Sequence, residues 1–151
     1  MNPFDLKSAL LAEHAQHVVL VHFPIALFLV GTGFDVMARF SQAASRKVAF
    51  TLGARLNTIA AAVFVVPTLA TGLLAWHWQL AGAKLKGILL LHLVMGCSCT
   101  VLILLIAWRR SRPANETSIP FAFLFLELIT GAALVAVGHL GGFLSGVNLS
   151  R

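Results

Sequence analysis

Charged residues are scarce in this sequence, which excludes most classes of soluble protein. Asp, Glu, Lys and Arg make up 11% of the 151 residues, against about 25% in an ordinary soluble domain. Hydrophobic residues make up 59%, and the mean hydropathy is +0.92. Neither a water-soluble globule nor a disordered chain fits this composition. The sequence therefore predicts an integral membrane protein whose first partner is the lipid bilayer.

Other function classes are excluded by what is missing. Two cysteines are too few for a disulfide framework. The net charge is +6, but no basic run has aromatic residues interleaved with it, so a nucleic-acid partner is not expected. The sequence contains no phosphate-binding loop and no motif for a nucleophilic triad. No catalytic residue is assigned, and whether the protein is an enzyme stays open.

Four apolar stretches reach the ~20 residues that a helix needs to cross the hydrocarbon. They cover residues 18–37, 56–83, 87–108 and 119–140. Because the connections over 40–52, 79–86 and 109–118 are short, successive spans should be antiparallel neighbours. We therefore predict an all-α protein, a four-helix transmembrane up-down bundle over 18–151. Residues 1–17 form an amphipathic segment that we expect to be a short interfacial helix.

Basic residues predict the orientation of the bundle. The first and third connections with their flanks hold seven Lys and Arg, whereas the opposite side holds four. Basic residues favour the cytoplasmic side. The sequence therefore predicts that both termini lie on the outer side.

Histidines fall at equivalent places in the four spans. His22 and His92 lie near the starts of spans one and three, and His77 and His139 lie near the ends of spans two and four. In an up-down bundle these positions share one membrane face. The interval from His22 to Arg39 equals the interval from His92 to Arg109, which places the two histidines at similar depths.

Convergent imidazoles are typical of a cofactor site in a helical bundle. Haem iron takes axial histidines, and copper or zinc is also compatible with clustered histidine. A flat macrocycle needs small residues beside its ligands. Gly96 lies one turn after His92, and Gly33 is rotated by only about 20° from His22. This favours haem b, with His22 paired to His92 and His77 paired to His139.

Two lysines and two acids complete the candidate site residues. Lys84 and Lys86 lie in the outer loop, where they can pair with haem propionates. Asp35 and Glu127 are the only acids inside the spans, and intramembrane acids are candidates for proton or quinone chemistry. Arg39 follows Asp35 by one helical turn and can pair with it. Glu127 has no basic neighbour in the sequence and is therefore the stronger candidate.

The beginning and the end of the chain resemble a bacterial membrane family, domain of unknown function 2231. Its opening signature, H-P-x-x-V-H-F-P-I-G-L followed by an Asp, is similar to the segment HVVLVHFPIAL over 17–27 with Asp35. The segment GHLGG over 138–142 is similar to its closing glycine-rich motif. Val18 stands where the family usually has proline, so His17 is not included among the predicted ligands. The resemblance implies a multi-pass protein of the bacterial inner membrane.

Some members of that family are joined to redox domains, which implies electron transfer by analogy. The leading hypothesis is therefore a membrane protein that binds haem b and passes electrons at the outer face, with redox proteins or quinone as partners. The alternatives are a non-catalytic membrane subunit of a larger complex, or a transporter or metal-handling protein that uses the same histidines.

Overall fold

The computed structural model describes residues 15–79, 82, 84–112 and 119–145, and this part of the chain is all-helical. A short helix α1 spans Ala15–Leu20, and α2 follows directly over His22–Phe40. The longer helices are α3 (Ala44–Gln79), α4 (Gly87–Ser111) and α5 (Phe121–Leu144). Within these described residues, four spans are long and apolar enough to cross a membrane, the first of them combining α1 and α2. The predicted fold class is confirmed.

The second span starts well before its predicted boundary. Helix α3 begins at Ala44, so most of the connection predicted over 40–52 is helical and only residues 41–43 join α2 to α3. Arg46, Lys47 and Arg55 limited the apolar stretch to residues from 56 onward, yet nothing in the preceding segment stops a helix. Hydropathy measures how far a helix can enter lipid, whereas the helix itself continues beyond that limit.

Most of the predicted N-terminal interfacial helix lies outside the described residues. The structure describes it only from Ala15, where α1 runs across position 17 without a break and ends at Leu20. An i to i+4 hydrogen bond from Val21 N–H to the His17 carbonyl, at 3.0 Å, links α1 to α2. Helix α1 therefore extends the first span.

Contacts at both ends of the bundle fix the directions of the helices. At one end, α1 contacts the last third of α3, and the first turns of α4 contact the last turns of α5. At the other end, the final turns of α2 and α4 meet the beginning of α5. There, Arg55 near the start of α3 donates to the carbonyl of Ser111 at the end of α4. Successive spans therefore alternate in direction.

The middle of the bundle is an apolar core, and the outside is apolar as well. Phe28, Val65, Ile103 and Leu134 are among the buried residues that fill the centre. Large hydrophobic side chains also cover the outside, including Val63 and Phe125, each 65% exposed. An apolar surface this extensive would not be stable in water. The bundle is thus built for a lipid bilayer, with a polar site near each end of the core.

Candidate functional site

A cavity of about 440 Å³ opens between the helices at the histidine end of the bundle. This volume lies within the range of about 300–1,000 Å³ that is typical of small-molecule sites. Its walls are mostly apolar and come from all five helices. Two imidazoles line it, those of His17 on α1 and His92 on α4.

His17 is held against α3. Its Nδ1 lies 3.1 Å from the main-chain carbonyl oxygen of Thr68. One turn further along α3, Gly72 leaves room for the ring, because a Cβ at this position would lie 2.9 Å from His17 Cε1. A carbonyl and a glycine one turn apart on α3 therefore form a seat for this imidazole.

His92 has an equivalent seat on α5. Its Nδ1 lies 3.2 Å from the carbonyl oxygen of Val137. Gly141, again one turn further along, leaves room for the ring, since a Cβ there would lie 3.2 Å from His92 Cε1. The same device thus occurs twice, once between the first and second spans and once between the third and fourth.

These hydrogen bonds fix which ring nitrogen carries the proton. A carbonyl oxygen can only accept, so Nδ1 of His17 and of His92 must donate. In a neutral imidazole the other nitrogen, Nε2, then has a free lone pair. Within the described residues neither Nε2 atom has a hydrogen-bond partner. Metal-ligating histidines commonly show this pattern, with the second nitrogen bound to a carbonyl or carboxylate.

The other three predicted ligands lie outside the cavity. His22 is exposed, and its Nδ1 donates to the carbonyl of Val18, one turn earlier in the same span, at 2.7 Å. His77 is exposed, and His139 is exposed with its ring edge against Phe143. The predicted pairs, His22 with His92 and His77 with His139, are therefore not brought together. The rotation of the helices leaves three of the four predicted imidazoles exposed and only that of His92 in the cavity.

Of the predicted glycines and lysines, one lines the cavity and the others do not. Gly96 lines the cavity. Gly33 is exposed, with nothing within 4 Å of a Cβ placed on it. It does share a face with His22, but that face points away from the cavity. Lys84 and Lys86 are exposed on either side of Leu85, which lines the cavity.

A buried ion network lies at the opposite end of the bundle. Arg110 donates from Nε and Nη2 to Glu127 Oε1, at 3.0 and 2.6 Å, and from Nη2 to Asp35 Oδ2. The expected pairing of Asp35 with Arg39 is wrong, because the Arg39 guanidinium lies 3.8 Å over the ring of Phe121. The expectation that Glu127 lacks a cation is wrong too. Its cation comes from another helix, which spacing along one helix cannot show.

The family model described as "Predicted membrane protein (DUF2231)" matches residues 13–147. This match covers most of the chain, including both polar sites. The chain belongs to the DUF2231 family. No curated protein and no solved structure matches it.

The family description leaves the chemistry of this DUF2231 chain open. In its described residues, no group of three or more His, Cys, Asp or Glu side chains is arranged to hold a metal ion. The cavity instead offers two imidazoles, together with a few hydroxyl and thiol groups, among mostly apolar side chains.

A signal for His17 was present in the DUF2231 sequence. A whole number of α-helical turns, at roughly 3.6 residues per turn, separates His17 from Asp35. The same interval separates His92 from Arg110. Each interior imidazole is therefore on the helix face that carries a member of the ion network. The interval from His22 to Asp35 is not a whole number of turns, so His22 points away from that face.

Proposed function

We propose that this protein binds haem b inside the bundle, with His17 and His92 as axial ligands, and carries electrons at the outer membrane face. The observation that supports the proposal is the pair of cavity-lining imidazoles, each with Nδ1 bound to a carbonyl of the neighbouring span. Electron donors and acceptors would be a redox protein or a quinone.

The donor set fits an iron porphyrin better than a bare metal ion. Haem supplies four equatorial nitrogens of its own, so the protein needs to provide only the axial ligands. Two neutral imidazoles with available Nε2 atoms meet that need. Gly96 and the apolar walls suit a flat, largely hydrophobic ligand.

The chain's own residues would hold the ligand and keep out water. When bound, haem b supplies reversible one-electron chemistry. The carbonyls of Thr68 and Val137 orient the two rings and increase the basicity of Nε2. Lys84 and Lys86, on either side of the cavity-lining Leu85, would pair with propionates.

Reconstitution with haem tests the proposal. The purified protein in detergent should bind added haem and give the reduced-minus-oxidised spectrum of a six-coordinate b-type centre. His17→Ala and His92→Ala should each lower bound haem per chain by more than about tenfold, because even the loss of an outer-shell partner weakens metal sites by roughly 10–100-fold.

The three exposed histidines provide matched controls. His22→Ala, His77→Ala and His139→Ala should keep wild-type haem content, because none of these side chains lines the cavity. A wild-type protein that stays colourless with ample haem would refute haem binding. Haem loss in the His22 variant together with retention in the His17 variant would refute our ligand assignment.

We also propose that the protein lies in the bacterial inner membrane with both termini outside the cytoplasm. Arg110 belongs to the buried ion network, which leaves six basic residues at that end of the bundle and its connections. Lys84 and Lys86 are the basic residues of the second connection, at the cavity end. The asymmetry still favours a cytoplasmic ion-network end.

Reporter fusions test this orientation. Alkaline phosphatase fused after Arg151 should be active and green fluorescent protein at the same point should be dark. A truncated chain fused after Arg112 should give the reverse result, because an odd number of spans precedes that junction. Fluorescence from the Arg151 fusion would show that the orientation is inverted.

A further inference from the structure

The ion network of Asp35, Glu127 and Arg110 has an unequal charge. Two carboxyl groups face one guanidinium, and their side chains are 0% and 1% exposed, against 7% for Arg110. If both acids were ionised, the cluster would carry a net charge of −1 inside a membrane protein. An uncompensated charge at such a site is costly, and proteins usually neutralise it.

Each carboxyl group uses only one of its oxygens. Arg110 donates hydrogen bonds to Asp35 Oδ2 and to Glu127 Oε1. Asp35 Oδ1 and Glu127 Oε2 are fully buried and have no hydrogen-bond partner among the described residues. Two buried oxygens on different helices are therefore free to bind a small positive ligand.

The surrounding groups do not supply that charge. Arg39 on α2 lies over the ring of Phe121, and Arg55 on α3 donates to the carbonyl of Ser111. Next to Arg110, Arg109 on α4 is exposed, and Arg112, which directly follows α4, lies over the ring of Trp108. Helix α5 contributes Glu127 to the cluster and has no Lys or Arg among its described residues that could balance the charge. Within the described residues, Arg110 is the cation that contacts the two acids, so a bound species would have to supply the missing unit of positive charge at the cluster.

We propose that Asp35, Glu127 and Arg110 form a proton-binding site that holds one proton on the carboxyl pair. The proton makes the cluster neutral and supplies one O–H donor, which an ionised pair lacks. Coupled carboxyl pairs that share one proton are a known solution to this charge problem. The site does not depend on the cavity at the other end of the bundle.

Infrared spectroscopy can count this proton directly. Near neutral pH, the folded wild-type protein should show the carbonyl-stretching band of one protonated carboxylic acid per chain, and the band should shift in deuterated water. Asp35→Asn and Glu127→Gln should each abolish the band, because the remaining carboxylate then balances Arg110 alone. Glu116→Gln, which removes an acid between α4 and α5, is the control and should keep it.

Conservative variants separate proton binding from a failure to fold. Asp35→Glu and Glu127→Asp keep both carboxyl groups, so each should shift the band without removing it. A folded wild-type protein without the band would overturn the proposal, as would a band that survives both carboxamide changes. A band that appears only when sodium is replaced by choline would also overturn it, because the site would then hold sodium.

Discussion

Replacing Arg110 with glutamine should lower the free energy of unfolding by about 3–5 kcal/mol, the range expected when one partner of a buried ion pair is removed. Arg110 is the guanidinium that contacts both buried acids. Without it, Asp35 and Glu127 either carry unpaired charge or take up a second proton. The loss can be measured by circular dichroism as mixed micelles are titrated with sodium dodecyl sulfate.

Arginines near Arg110 provide the controls. Arg109 is exposed, and Arg109→Gln should change stability by no more than about 0.5 kcal/mol. Arg39→Gln removes a contact with the Phe121 ring and should cost about 1 kcal/mol or less. A loss in Arg110→Gln no larger than in these controls would contradict the assigned role of the network.

Neutralising the acids as well should restore stability. Combining Arg110→Gln with Asp35→Asn and Glu127→Gln leaves no buried charge, and uncharged replacements of buried ion networks are often neutral or stabilising. The triple variant should therefore be more stable than Arg110→Gln alone. This reversal would identify charge, rather than the volume of the arginine side chain, as the cause of the loss.

The spans could be predicted because the bilayer imposes a simple requirement on length and hydropathy. Short connections then determined which helix ends lie together, and the histidine end and the acidic end follow from that. The start of α3 was missed because the segment before Arg55 is polar and hydropathy does not measure helix formation. The end of the bundle at which a residue lies can therefore be predicted from the order and length of the spans.

Rotation of each helix about its axis was harder to predict. The spacing of His17 and His22 along the helix points them about 140° away from each other, so only one of them can face the interior. Depth alone favoured His22. The interior face of the first span is set by packing on α3, which also receives the His17 ring. Likewise, Glu127 meets its arginine only after α4 and α5 have packed.

Substituting alanine for Gly72 or Gly141 should disable the cavity while leaving the bundle folded. A Cβ on Gly72 would lie 2.9 Å from His17 Cε1, and one on Gly141 would lie 3.2 Å from His92 Cε1. In both cases the obstructed atom belongs to a side chain that can swing away. Each imidazole would then lose its carbonyl partner and its position.

Stability and ligand binding should therefore change in opposite directions. Alanine favours a helix over glycine by up to about 1 kcal/mol, so neither variant should unfold more easily. Haem content should fall in both, and more in Gly72→Ala, where the overlap is greater. Nitrogen NMR of labelled histidine in the haem-free protein should show the Nδ1–H hydrogen bond lost. This readout holds even if the natural ligand is not haem.

Two other glycines show whether the effect is local. Gly33 and Gly142 have nothing within 4 Å of an added Cβ, so Gly33→Ala and Gly142→Ala should retain both the histidine spectrum and the haem content. Wild-type haem binding and an unchanged histidine spectrum in Gly72→Ala would show that the seat on α3 does not hold the His17 ring. Loss of haem binding in the Gly33 variant would instead indicate that the ligand binds on the side of α2 that carries His22.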